Sequence, residues 1–188
     1  PFFRDHFSRL DRQIVLVDAL SAINASPAAV EDLSRALHAS LEAFRPGANT
    51  WLSAILSRRI DRVLFAATKA DHLPQSSHDR LEKALELITT GAARRAGLAG
   101  AEIKVLAIAA LRATREAERR SGKESLPCII GVPLPGERLG ARVFDGRAEA
   151  AIFPGDLPED PRAMLAAGAG AHRSRDEIDV RSEERRVG

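Results

Sequence analysis

The stretch RVLFAATKADHLP, residues 62–74, carries five apolar residues from Val63 to Ala67 straight into Thr68-Lys69-Ala70-Asp71. An uninterrupted apolar run of this length, closed by polar residues, is the signature of a strand buried on both faces. QIVLVDAL, 13–20, closed by Asp18, shares the pattern, and AEIKVLAIAAL, 101–111, reads as a third apolar strand. Helical patterns separate them. Val30, Leu33, Leu37, Leu41 and Phe44 recur every three or four residues, with Ser26 as N-cap and Pro27 at the first helical position. Leu81, Ala84, Leu85 and Ile88 repeat the stripe after the second strand. NTWLSAILSRRI reads as another short helix with Trp51, Leu52 and Ile55 turned inward. Strand, helix, strand, helix, strand predicts an α/β fold with a parallel sheet.

The whole chain sets bounds on that reading. Its 188 residues suit one domain, and 45% apolar with 29% charged residues describes a globular protein. A formal net charge of +2, without a clustered basic face, argues against nucleic acid as a partner. The single cysteine, Cys128, excludes an internal disulfide, suits a reducing compartment and reads as a small buried apolar residue. No apolar run approaches the roughly 18 residues of a transmembrane segment. His6, His38, His72, His78 and His172 are scattered without metal-ligand spacing.

In a parallel α/β sheet, ligands sit beyond the carboxyl ends of the strands. A carboxylate at Asp71 matches the donor edge of guanine, its N1–H and exocyclic amine, and a bidentate pair there rejects adenine. The stem of Lys69 can lie along a base, and Thr68 can tie this loop to a phosphate loop. Thr68-Lys69-Ala70-Asp71 thus fits the guanine-specificity pattern [N/T]KxD, against the plainer reading of a charged loop after a strand. Asp18 fits a Walker B aspartate holding Mg²⁺ through water, against the plainer reading of a strand-end cap. Ala109-Ala110-Leu111, at the end of the third strand, stands where backbone N–H groups contact the guanine oxygen. Arg9, Arg12, Arg112 and Arg115 read as surface residues, the last two at a solvated helix start.

HFSRLDRQIVLVDAL, IDRVLFAATKADHL, VLAIAALRAT, IIGVPLPG and IFPGDLP together resemble the YcjX-like family of bacterial P-loop NTPases, from about Pro1 to about Pro161. The resemblance implies a three-layer P-loop fold of the Ras-like GTPase type. It implies GTP or GDP with Mg²⁺ as ligands. It also implies a cytoplasmic place, with peripheral attachment at the inner membrane as a variant, and a protein partner in envelope or phage-shock stress. By residue, it gives Asp18 the Mg²⁺ role, Thr68, Lys69 and Asp71 the guanine motif, and Ala110 the last guanine contact.

Two departures stand out. The switch motif DxxG would begin at Asp18, but Ser21 stands where glycine should be, and no GxxxxGK[ST] occurs in the sequence. The chain accordingly reads as the C-terminal part of a GTP-hydrolysing protein, inactive alone and with part of its sheet face bare. Residues 1–126 read as the α/β domain and 127–161, rich in glycine and proline, as its β- and turn-rich extension. Residues 162–188 read as a tail of little order, closing in an appended RSEERRVG. A nucleotide-gated or nucleotide-dead interaction module, and an ATPase of the same fold, remain the alternatives.

Overall fold

The structure is a computed structural model describing residues 12–43, 62–98, 101–121, 124–139, 141–154, 157, 159–167 and 176–178. The helix expected at NTWLSAILSRRI, with Arg9, His6, His172 and the closing RSEERRVG, lies outside the described residues.

Three parallel strands form the first sheet: β1 (Arg12–Val17), β2 (Arg62–Ala67) and β3 (Glu102–Ala107), in the order β1-β2-β3. Arg12 pairs with Arg62 and Arg62 with Glu102, so the three strands end level at Val17, Ala67 and Ala107. Between them run α1 (Ala19–Ala25), α2 (Pro27–Ala43) and α3 (His78–Leu98). Ser26 caps α2 as the sequence predicts, its Oγ accepting from the Ala29 N–H at 3.1 Å. The stripe Leu81, Ala84, Leu85 and Ile88 of α3 is fully buried against Val17, Val63, Phe65 and Ala67.

The first strand ends at Val17, just before the Asp18 expected to close it, and Ala19 and Leu20 open α1. Asp18 causes the stop: its Oδ1 accepts from the Ser21 N–H at 3.2 Å, and a helix takes over from the strand. Contrary to expectation, β1 is not buried on both faces. The helices cover the face of Val15, Phe65 and Val105, while Ile14 (63% exposed) and Leu16 (65%) lie open on the other. Leu106, in register with Ala66 and Leu16, is exposed beside them. Three layers are expected from the resemblance; among the described residues, helices line one face of this sheet.

A second, antiparallel sheet follows: β4 (Arg115–Ser121), β5 (Glu124–Gly131), β8 (Ala150–Phe153) and β9 (Asp176–Ile178), in the order β4-β5-β8-β9. A ribbon of β6 (Arg138–Leu139) and β7 (Arg142–Val143) lies between β5 and β8 in the chain. This sheet starts well before residue 127. REAERRS is strand, and Arg115 opens it rather than a helix. It pairs along its length with the apolar β5, from Arg115↔Ile130 to Ser121↔Glu124, and partner context outweighs a charged composition. Cys128 is fully buried with Ile130, Ala151 and Phe153, and burial pushes its thiol pKa up. Beyond residue 160, where the sequence predicts little order, stand α4 (Pro161–Ala167) and β9. No helix among the described residues is long and apolar enough to cross a membrane.

Candidate functional site

The level strand ends put Asp18, Thr68 and Ile108 side by side, each the residue that follows its strand. Backbone bonds tie these ends together. Thr68 N–H donates to Val17 O at 2.9 Å, Ile108 N–H to Ala67 O at 2.8 Å and Ala70 N–H to Ile108 O at 3.1 Å. The Thr68 hydroxyl also donates to Val17 O, at 3.3 Å, so its described tie is to the end of β1.

Lys69 then turns the chain with φ +61°, the one non-glycine residue of positive φ among the described residues. A lysine in this region stores conformational strain, and such strain collects at sites where a fixed geometry is used. The turn leads into a 3₁₀ turn, Ala70–His72, that carries Asp71 inward, where it is only 8% exposed. Lys69 itself points along the strand ends, and its Nζ donates to Asp18 Oδ2 at 2.6 Å.

Asp18 is therefore crowded with donors: the Ser21 N–H on Oδ1, and the Ser21 hydroxyl (2.8 Å) and Lys69 on Oδ2. Burial works to raise its pKa, but the bonds from Lys69 and Ser21 outweigh it and hold the carboxyl below the ordinary carboxylate value. Three of a carboxylate's about four acceptor sites are taken. What is left suits one water, so this residue fits a divalent cation only through that water. No group of three or more His, Cys, Asp or Glu among the described residues converges to hold a metal directly.

Asp71 is held from the third strand end. Its Oδ2 accepts from the Ala113 N–H at 3.3 Å, and its carbonyl oxygen accepts from the Thr114 hydroxyl at 2.5 Å. Ala109, Ala110 and Leu111 run just before this clamp, all exposed, with Leu111 at 83%. His78, weighed in the sequence as a metal ligand, does something else. Its Nε2 stands 2.9 Å from Ala70 O and 3.3 Å from Leu73 O, bracing the loop from the start of α3. Glu82 accepts the outward Ala107 N–H at 2.8 Å and closes this end of the free edge of β3. Arg112 and Arg115 pair with Glu116 and Glu149, each at 2.6 Å. Ala113, Thr114 and His78 escaped sequence reasoning because their contacts are made across the fold. The only trace was Ala113 and Thr114 at the end of VLAIAALRAT.

The model of the YcjX-like family, DUF463, matches residues 1–176. The chain belongs to the YcjX-like family. A protein named Ras-like GTPase YcjX from Shewanella oneidensis is 33% identical over 158 residues, covering 84% of this chain and 30% of that protein. Its namesake from Escherichia coli is 34% identical over 157 residues, covering 84% and 32%. The chain spans about a third of the length of the curated relatives it matches. The α/β architecture with three parallel strands is compatible with part of a Ras-like GTPase.

Proposed function

We propose that this chain supplies the base-reading part of a guanine-nucleotide site in a Ras-like, P-loop GTPase that hydrolyses GTP with Mg²⁺. Asp71 accepts the N1–H and exocyclic amine of guanine. The stem of Lys69 flanks the base, Thr68 braces the loop, and backbone at Ala109-Ala110-Leu111 meets the guanine oxygen. Asp18 serves Mg²⁺ through water. One observation carries the reading: a buried carboxylate, fixed by a backbone N–H, sits at the carboxyl end of a parallel sheet behind a strained lysine. The two relatives named Ras-like GTPase YcjX support the GTPase part of this reading. A cytoplasmic place, peripheral inner-membrane contact and a protein partner in envelope stress are part of the proposal and rest on family resemblance alone.

A second reading, the nucleotide-gated or nucleotide-dead interaction module, draws on Ser21. Its N–H is turned onto Asp18 and not outward, where a DxxG glycine would offer it to a γ-phosphate. An ATPase of the same fold is the third. Calorimetry with Mg²⁺ on the longest open reading frame that encodes this chain separates them. GDP should bind, ATP should not compete, and Asp71→Asn should lose guanine preference. A folded protein that ignores guanine nucleotides overturns the proposal. Binding of GTP without turnover supports the module, and competition by ATP supports the ATPase.

A further inference from the structure

The clamp on Asp71 belongs to the second sheet as much as to the first. Ala113 and Thr114 are the last two residues before β4, and Arg115 pairs with Ile130. The next residue of β5 is Gly131, which faces Thr114. A Cβ placed on Gly131 would lie 3.1 Å from Thr114 Cγ2 and 3.4 Å from Ala113 O. Thr114 is thus wedged: its methyl takes up the space that a side chain on Gly131 would need, and its hydroxyl donates to Asp71 O.

We infer that Thr114 and Gly131 are positioning residues for base recognition, through which the antiparallel sheet aims the carboxylate of Asp71. The inference rests on the guanine reading above. The chemistry asks for such a support. Guanine differs from hypoxanthine only by the exocyclic amine, so telling them apart depends on one N–H donated to one carboxylate oxygen. Such a bond weakens steeply as distance and angle drift. Two neighbouring contacts, Ala113 N–H to Oδ2 and Thr114 Oγ1 to the Asp71 carbonyl, set the height and turn of that carboxylate. Both come from the same dipeptide, and that dipeptide is seated on β5. Threonine suits the place because it offers a donor on one branch and a methyl wedge on the other.

The test compares GDP with inosine diphosphate on the longest open reading frame encoding this chain. Both carry the same diphosphate, so their affinity ratio reads the base contact and cancels general losses. Thr114→Val removes the donor and should lower the GDP preference by about fivefold or more. Thr114→Ser keeps the donor and should rescue it. Gly131→Ala presses on the Thr114 methyl and should also lower the ratio. In Thr114→Ser with Gly131→Ala that methyl is gone, so the ratio should return towards the wild-type value. Should Thr114→Val fail to fold, the Gly131→Ala pair of variants decides by itself. Folded Thr114→Val or Gly131→Ala proteins with an unchanged ratio overturn the positioning role and leave the guanine reading standing. A wild-type protein that binds the two diphosphates equally overturns both.

Discussion

Lys69 reaches back across the sheet, and its ammonium meets Oδ2 of Asp18 at 2.6 Å, joining the loop after β2 to the first residue after β1. The residue proposed to flank the base and the residue proposed to serve the metal thus hold each other. Any ligand that draws on one alters the other.

This pair has a pH signature. The Asp18 carboxyl is held below its ordinary value of 3.8 in the folded state. A depressed carboxyl adds stability that is present above 3.8 and lost as pH falls through the folded-state value. Both side chains are more than a third exposed, so solvent screening keeps the effect under about 1 kcal/mol. Thermal unfolding followed from neutral pH down to about pH 3 should show a shallower decline in Asp18→Asn than in the wild type. Parallel curves for the two would disprove the linkage.

The backbone at Lys69 gives a second prediction. Lys69→Gly and Lys69→Ala both lose the ion pair, so their difference isolates the cost of φ +61°. Glycine should be the more stable of the two by about 0.5–1 kcal/mol, the left-handed penalty less the entropy that glycine loses on folding. Urea unfolding of the two variants measures it, and an alanine variant equal to glycine would show that the turn is unstrained.

His78 offers a third. Its Nε2 serves Ala70 O and Leu73 O. His78→Ala should cost about 1 kcal/mol, the ordinary worth of such a bond. His78→Gln, whose amide can donate from a similar reach, should recover part of it. Equal losses in both variants would mean that ring packing, and not the hydrogen bond, is what matters.

The first sheet gives a contrast between its two faces. Leu85, on the fully buried side of α3, should cost about 2–5 kcal/mol when cut to alanine. Leu16, on the open face, should change stability by no more than about 0.5 kcal/mol in Leu16→Glu. The same change should reduce binding of a hydrophobic dye to this protein. A large loss in Leu16→Glu would show that the face is covered in solution.

Much of this architecture was legible in the sequence. Three apolar runs became three parallel strands, the stripe from Leu81 to Ile88 became the buried side of α3, and Ser26 became a cap. These are local patterns, with a period or a neighbour to reveal them. What stayed hidden depends on contacts made far along the chain. REAERRS looks like anything but a strand until β5 lies beside it. Ile14 and Leu16 read as core because apolar runs do not say which face will be covered. Asp18 closes the strand as expected, but its second task, capping α1, stayed hidden because capping a helix and closing a strand need the same residue type. Asp18 and Thr68 follow their strands as expected, whereas β3 stops at Ala107, short of Ala109-Ala110-Leu111, and the props beneath Asp71 were missed, since Thr114 lies 43 residues away.

The two sheets differ in how far the chain must travel to close them. In the second sheet, Ser121 pairs with Glu124, only three residues on, whereas Arg12 must find Arg62 and Arg62 must find Glu102. Closing a loop costs more entropy as it lengthens, and hairpins form in roughly 1–10 μs, well ahead of distant parallel pairings. Pulse-labelled amide exchange during refolding should therefore protect β4 and β5 before β1 and β2, and simultaneous protection would contradict this order. The seat formed by Gly131 and Thr114 is then ready before Asp71 arrives, so the loop is moulded onto a finished surface.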